Sequence, residues 1–146
     1  MATGDLRATS LPREIKDWLE QLKELVDNVK GWAEAAGWET RQTCRDVFEK
    51  EGSCYEVPVL VVNRDESEVS LVPVDRKVPG SDGLVALFLM PDFDDVASFY
   101  MEKGQWFFRY AFRSVSTETH STNKTERFPL TEETLARVLN DIAAYA

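Results

Sequence analysis

Three groups of residues in this chain have the types and spacing that chemistry could use. The single histidine, His120, lies in the polar run STETHSTNKTERF, residues 116–128. A nucleophilic triad needs a histidine between a Ser, Cys or Thr and a carboxylate. Serines and threonines flank His120, but the chain has no G-x-S-x-G elbow. A zinc centre would need more histidines or paired cysteines, and Cys44 and Cys54 stand ten apart with no second pair. His120 therefore reads as a solvated loop residue.

The second group is acidic. Asp92, Asp94 and Asp95 crowd the stretch PDFDD, and hard cations such as Mg²⁺ and Ca²⁺ take oxygen ligands of this kind. The stretch lacks the EF-hand spacing with its distal Glu, and turns or helix starts collect the same residues. The third group is VDRKV, which sets Asp75 and Lys77 in acid–x–lysine spacing at a strand end. A Mg²⁺-dependent nuclease can use such a pair with a second acid on the preceding strand; here Asp65 falls in the preceding turn. A metal-dependent hydrolase or nuclease built on Asp75 and Lys77, or on Asp92, Asp94 and Asp95, is the specific enzymatic reading. The P-loop, dinucleotide, zincin and kinase motifs are absent, and no cofactor is implied.

Composition narrows the field. A chain of 146 residues suits one domain and can bury roughly 68–70% of its unfolded surface. Its 16 aromatic residues argue against general disorder. The formal net charge of −9 repels phosphate backbones and anionic lipid, which disfavours nucleic-acid and membrane partners and favours a basic one. With no apolar signal segment and no long apolar run, the expectation is a cytoplasmic protein with reduced cysteines.

The elements that must position these residues follow from period. Residues 1–9 are small and polar and read as a disordered N-terminus; residues 10–146 read as one α+β domain. From Ser10, a possible cap, Ile15, Trp18, Leu19, Leu22, Leu25, Val26, Val29, Trp32, Ala33 and Ala36 recur at steps of three and four. This is an amphipathic helix that Gly37 can stop. Part of the stripe keeps an a/d register, so a homodimer through this helix stands beside packing on a sheet. The first half of WETRQTCRDVF is a candidate strand. CYEVPVLVVN and EVSLVPVD form a hairpin about the polar turn RDES, with Pro58 marking an edge or a bulge. LVALFLM reads as a central strand covered on both faces. The aromatic and β-branched content of VASFYM and QWFFRYAF favours a hairpin about EKGQ over a helix. The polar run that follows is a loop or an edge strand. PLTEETLARVLNDIAAYA is a closing helix with Thr131 as cap and Leu130 and Leu135 as a hydrophobic staple.

In an extended strand Trp106, Phe108, Tyr110 and Phe112 share one face, and Phe107, Arg109 and Ala111 the other. Aromatics on both faces call for a cover beyond two helices, so Trp106, Phe108, Tyr110 and Phe112 are the candidate partner-binding residues, with core packing as the competing reading.

The segments AAGWE, EVPVLVV, LVPVDRKVPGSDGLVALFLMP, GQWFF and FPLTEETL, in this order, resemble a group of small uncharacterised bacterial α+β proteins. These combine a leading helix, a D-G-x-V-x-L strand, a Trp-bearing strand and a closing helix. The likeness runs from about Trp32 onward, supports the hairpin, and brings no activity with it. In layout alone the chain is similar to class I chaperones of bacterial secretion systems and to toxin-immunity proteins, which bind protein partners without catalysis. Those chaperones place a helix between strands where a hairpin is expected here. The sequence thus predicts an antiparallel sheet of about 5–6 strands packed by a long N-terminal and a C-terminal helix. The expected function is that of a non-catalytic, acidic, protein-binding module.

Overall fold

A computed structural model of the protein describes residues 11–50, 52–112 and 126–145. The expected N-terminal tail, the Ser10 cap and His120 lie outside these residues. The chain opens with helix α1 (Arg13–Ala35), continues through strands β1 (Glu39–Phe48), β2 (Cys54–Arg64), β3 (Ser67–Asp75), β4 (Leu84–Leu89), β5 (Asp94–Glu102), β6 (Gln105–Tyr110) and β7 (Glu126–Pro129), and closes with α2 (Glu132–Tyr145). The strands form one antiparallel meander in the order β1-β2-β3-β4-β5-β6-β7. The α+β layout is as expected, but the sheet has seven strands. β1 occupies all ten residues to Phe48, and the end of the polar run supplies β7 beside β6.

Local chemistry accounts for the boundaries. Pro12 stands at the N-cap of α1, and its carbonyl accepts from the Ile15 and Lys16 amides without a side-chain cap. At the other end the Gly37 N–H donates to the Glu34 carbonyl and the Trp38 N–H to the Ala33 carbonyl, a Schellman stop. Thr131 caps α2: its Oγ1 accepts from the Thr134 N–H at 3.1 Å, while the Thr131 N–H donates to Thr134 Oγ1 at 2.9 Å. Between β5 and β6 the two-residue turn Lys103-Gly104 has positive φ at both positions, which matches the twist of a tight hairpin. The segment that could have been a helix is therefore strand from Asp94 onward.

Both helices cover one face of the sheet. Register shows which one: Leu60 pairs with Leu71, Leu71 with Leu87, Leu87 with Ala97, and Ala97 with Tyr110. These residues share a single core with Ile15, Trp18, Leu22, Leu25 and Val29 of α1 and with Leu135, Val138, Leu139 and Ile142 of α2. The apolar stripe of α1 is thus used inside the monomer, and a dimer seam on it would require the domain to open. β4 lies at the centre, with Val85 and Leu87 in this core and Ala86 buried on the opposite face.

Trp106, Phe108, Tyr110 and Phe112 belong to the helix-covered face. Phe108 is 0% and Tyr110 3% exposed. Phe108 stacks on Phe99 and Phe128, with ring centroids 5.4 Å away in each case. Trp106 lies 6.3 Å from Trp18 of α1, and Phe112 meets Tyr110 edge-on. The Tyr110 hydroxyl donates to Asp141 of α2 at 2.7 Å, and both residues are buried. For Phe108 and Tyr110 the core reading holds, and Trp106 and Phe112 pack half-buried against the same core; the two helices cover this row without a further layer.

Trp18 also reads one residue of the loop before β4. A Cβ built on Gly83 would stand 2.2 Å from the Trp18 ring, so only glycine lets the indole close over this strand entry. Gly83→Ala is expected to lower stability by about 1–3 kcal/mol through overpacking, as read by denaturant unfolding. A midpoint equal to that of the native chain would show that the indole moves aside freely.

Candidate functional site

A cleft of about 420 Å³ opens where β2 and β3 part. The two strands pair from Arg64 with Ser67 up to Leu60 with Leu71, and no further. The next same-register pair of this parity would set Pro58 opposite Pro73. Neither residue has an N–H to give, so a ladder cannot run through this point. β2 stays paired with β1 along its whole length, whereas β3 continues only with β4. In β2 the inward alternation also slips by one residue, since Tyr55 and Val57 are in the core and so are Leu60 and Val62. The β1–β2 hairpin end therefore leans away from β3, and the wedge between them is floored by Trp18, Tyr55, Val57 and Pro73.

Charged groups close the wedge. The Tyr55 hydroxyl donates to Glu49 at 2.5 Å, and the Arg76 guanidinium reaches Glu49 at 3.2 Å and Glu14 of α1 at 3.6 Å. The Tyr55 hydrogen bond, helped by Arg76, holds the Glu49 carboxyl below its ordinary value against the opposing effect of burial. Burial, then the Glu49 bond and charge, push the Tyr55 phenol above the ordinary tyrosine value. Burial works to lower the Arg76 value, but its bond and charge contact with Glu49 outweigh that and leave it raised. Each group is thereby locked in its ordinary charge state. A phenol held neutral and a carboxylate held ionised by two donors are poor proton carriers near neutral pH.

The rim is apolar. Phe48 at the end of β1 is 77% exposed and Val74 at the end of β3 is 54% exposed, and both line the cleft. Asp75 and Lys77 line it as well, so this part of the chain does meet a cavity. An Asp75 carboxylate oxygen accepts the Lys77 backbone N–H at 3.2 Å, the bond of a local turn. Asp65, at the far end of β3, is roughly 30 Å away at ~3.3 Å per residue and supplies no second acid. Asp92, Asp94 and Asp95 are exposed in and beside the β4–β5 connection. Among the described residues no three His, Cys, Asp or Glu side chains come together as a metal cage would need. Cys44 is exposed and unpaired with Cys54; the charge and hydrogen bond of Glu56 push its thiol up, away from the reactive thiolate.

The sequence reading missed Glu49 and Tyr55, six residues apart across the β1–β2 hairpin, and gave Arg76 of VDRKV no role; Arg76 reaches Glu49 from 27 residues away at the parted end of β3. It also missed the exposed Phe48. A signal was present for the divergence: Pro58 and Pro73 are equidistant from the RDES turn.

Comparison of the chain with known protein families, with curated proteins and with solved structures found no match. Fold and site together define the class: an α+β domain whose helices cover one sheet face and whose sheet splits at one end into an apolar-rimmed cleft. No described helix is long and apolar enough to cross a membrane.

The lowered Glu49 value has a direction in pH. A carboxyl depressed in the folded state contributes stability above its unfolded value of about 4.3 and loses that contribution as pH falls through the folded value. Glu49→Gln should therefore cost about 1–3 kcal/mol at pH 7, and its deficit relative to the native chain should shrink in acid. Urea unfolding across pH 2 to 7 checks this; a deficit independent of pH would assign the effect to packing instead.

Proposed function

We propose that the domain is a non-catalytic module that binds a protein partner at the parted end of the sheet. The observation that carries this reading is the pair of exposed apolar side chains, Phe48 and Val74, at the mouth of the cleft. Monomeric domains seldom leave large apolar groups together at a concave site without a use for them. Around them the ionisable groups are mutually engaged, which suits a rigid docking surface better than proton transfer. The net charge of −9 favours a partner with a basic surface, and steering by that charge would speed the encounter. The end of β1 supports the same use, because Val47 and Phe48 line this cleft and β1 is an edge strand of the sheet. Within this proposal the module acts in the cytoplasm and a second copy of the chain is one possible partner.

The test is affinity capture with the native chain and with the double variant Phe48→Glu/Val74→Glu. The native chain should retain one stoichiometric protein, released by high salt. The double variant should lose it, with a melting temperature unchanged because both side chains are already in water. Equal capture by the two chains would remove the cleft from the reading. The hydrolase alternative on Asp75 and Lys77 is separated by calorimetry: titration with Mg²⁺ or Mn²⁺ at millimolar concentration should give no binding heat, and a saturable isotherm abolished by Asp75→Asn would favour the enzyme.

A further inference from the structure

The face of the sheet turned away from the helices carries a second cavity, of about 360 Å³, between the loop before β4 and strands β5 and β6. Register places three polar residues side by side there. Ser98 pairs with Arg109 across the β5–β6 ladder, and Tyr100 follows Ser98 by two residues on the same face of β5. All three line the cavity, together with the apolar Val78, Pro79 and Leu84.

One feature of this cluster is unexplained by the fold. Tyr100 is 9% exposed, and its hydroxyl is buried without a hydrogen-bond partner among the described residues. An unsatisfied buried hydroxyl costs free energy that folding alone does not return. Above it the Arg109 guanidinium lies 5.6 Å from the centre of the Tyr100 ring, in the position of a cation over an aromatic face. Arg109 has no carboxylate partner among the described residues, although the chain carries nine more negative than positive charges. Its neighbour Arg127 also lies over the Tyr100 ring, at 5.7 Å, and at 4.0 Å from the centre of the Phe107 ring, but it pairs with Glu102. Glu102 is the carboxylate in the cavity lining, and Arg127 compensates its charge.

We infer that this cavity is a binding site for a carboxylate carried on a short apolar group. The Arg109 guanidinium and the Ser98 and Tyr100 hydroxyls donate to the carboxylate oxygens, while Val78, Pro79 and Leu84 take the apolar part. A monoanion fits better than a phosphate, because Arg109 is the one guanidinium in the lining and compensates one negative charge, and Glu102 in the same lining disfavours a second. Two sources present this chemistry: a free aliphatic acid, or the C-terminal carboxylate of a peptide ending in an apolar residue.

The test is a ¹⁵N NMR titration of the full chain with hexanoate and with hexanol, and with an N-acetylated Ala-Ala-Leu peptide whose C-terminus is free or amidated. Hexanoate or the free peptide should shift the amides of Ser98, Tyr100 and Arg109 saturably, and hexanol and the amidated peptide should not. The tighter of the two acids identifies the source. Arg109→Gln should weaken binding by about tenfold or more, the loss expected for one charge-assisted hydrogen bond. Ser98→Ala tests the same contact set should the arginine variant fail to fold. Tyr100→Phe should weaken binding while leaving the melting temperature of the free protein equal or higher, since it removes a hydroxyl without a partner. No saturable shift at millimolar acid, an undiminished response in Arg109→Gln, or a lower melting temperature in Tyr100→Phe would overturn the inference.

Discussion

The β2–β3 ladder cannot run past Leu60 and Leu71, because the next residues of matching parity are two prolines. Much of the molecule's individuality follows from that constraint. A seven-stranded meander could close as a continuous sheet; here its first hairpin is released from β3 while it remains paired with itself. The released end would leave a hole in the core, and the chain fills it with large groups. Trp18 comes from α1, Tyr55 and Val57 from β2, and Glu49 and Arg76 bridge the gap from either side. The ion pair is placed where two backbone segments have separated and lost their mutual hydrogen bonds. Side chains there do the joining that the ladder does elsewhere.

The two sheet faces solve the problem of cover differently. The inner face is filled by residues from both helices and by the stacked rings of Phe99, Phe108 and Phe128. The outer face has no helix. Its central rows are small, with Ser70, Ala86 and Ser98 near the middle, and larger groups such as Phe88, Tyr100 and Phe107 stand around them. Arginines lying over Tyr100 and Phe107 shield ring faces that would otherwise meet water. The outer face therefore keeps a buried centre (Ser70, Val72, Ala86 and Tyr100) without a helix over it, and cation–aromatic pairs stand at its margin.

Legibility in the sequence followed the same division. Both helices, their stops and the hairpins about RDES and EKGQ were readable because period, caps and turn residues all act locally. The faces of β6 were readable too, since alternation alone puts Trp106, Phe108, Tyr110 and Phe112 together. Which face the helices cover is not readable, because that depends on register summed across several strands, so alternation alone leaves the row open to both a core and a partner reading. The cleft depends on Pro58 and Pro73 jointly. Each alone reads as a bulge or an edge; only when the RDES turn fixes the hairpin register do they face one another. Glu49 and Tyr55 meet across their own hairpin turn, but Arg76 joins them only through that geometry, which no spacing in the chain announces.

The chain between β3 and β4 ties the cleft to the outer cavity. Arg76 sits in the cleft, Val78–Ser81 walls the cavity, and Gly83 is held beneath Trp18. Between these points the loop is fixed by its own bonds. The Ser81 hydroxyl reaches the Gly83 and Met101 carbonyls at 2.8 and 2.9 Å, the Asp82 N–H donates to the Met101 carbonyl, and the Met101 N–H donates to the Gly83 carbonyl. A loop so anchored has little backbone freedom left to lose. It also means that neither site can be reshaped alone. Moving Val78 and Pro79 outward draws on the backbone that positions Arg76, and pulling Arg76 from Glu49 and Glu14 draws on the backbone that walls the cavity. The physical link between the inner cleft and the outer face is this short segment, held by its bonds to Met101 and by Trp18 closing on a residue that has no side chain.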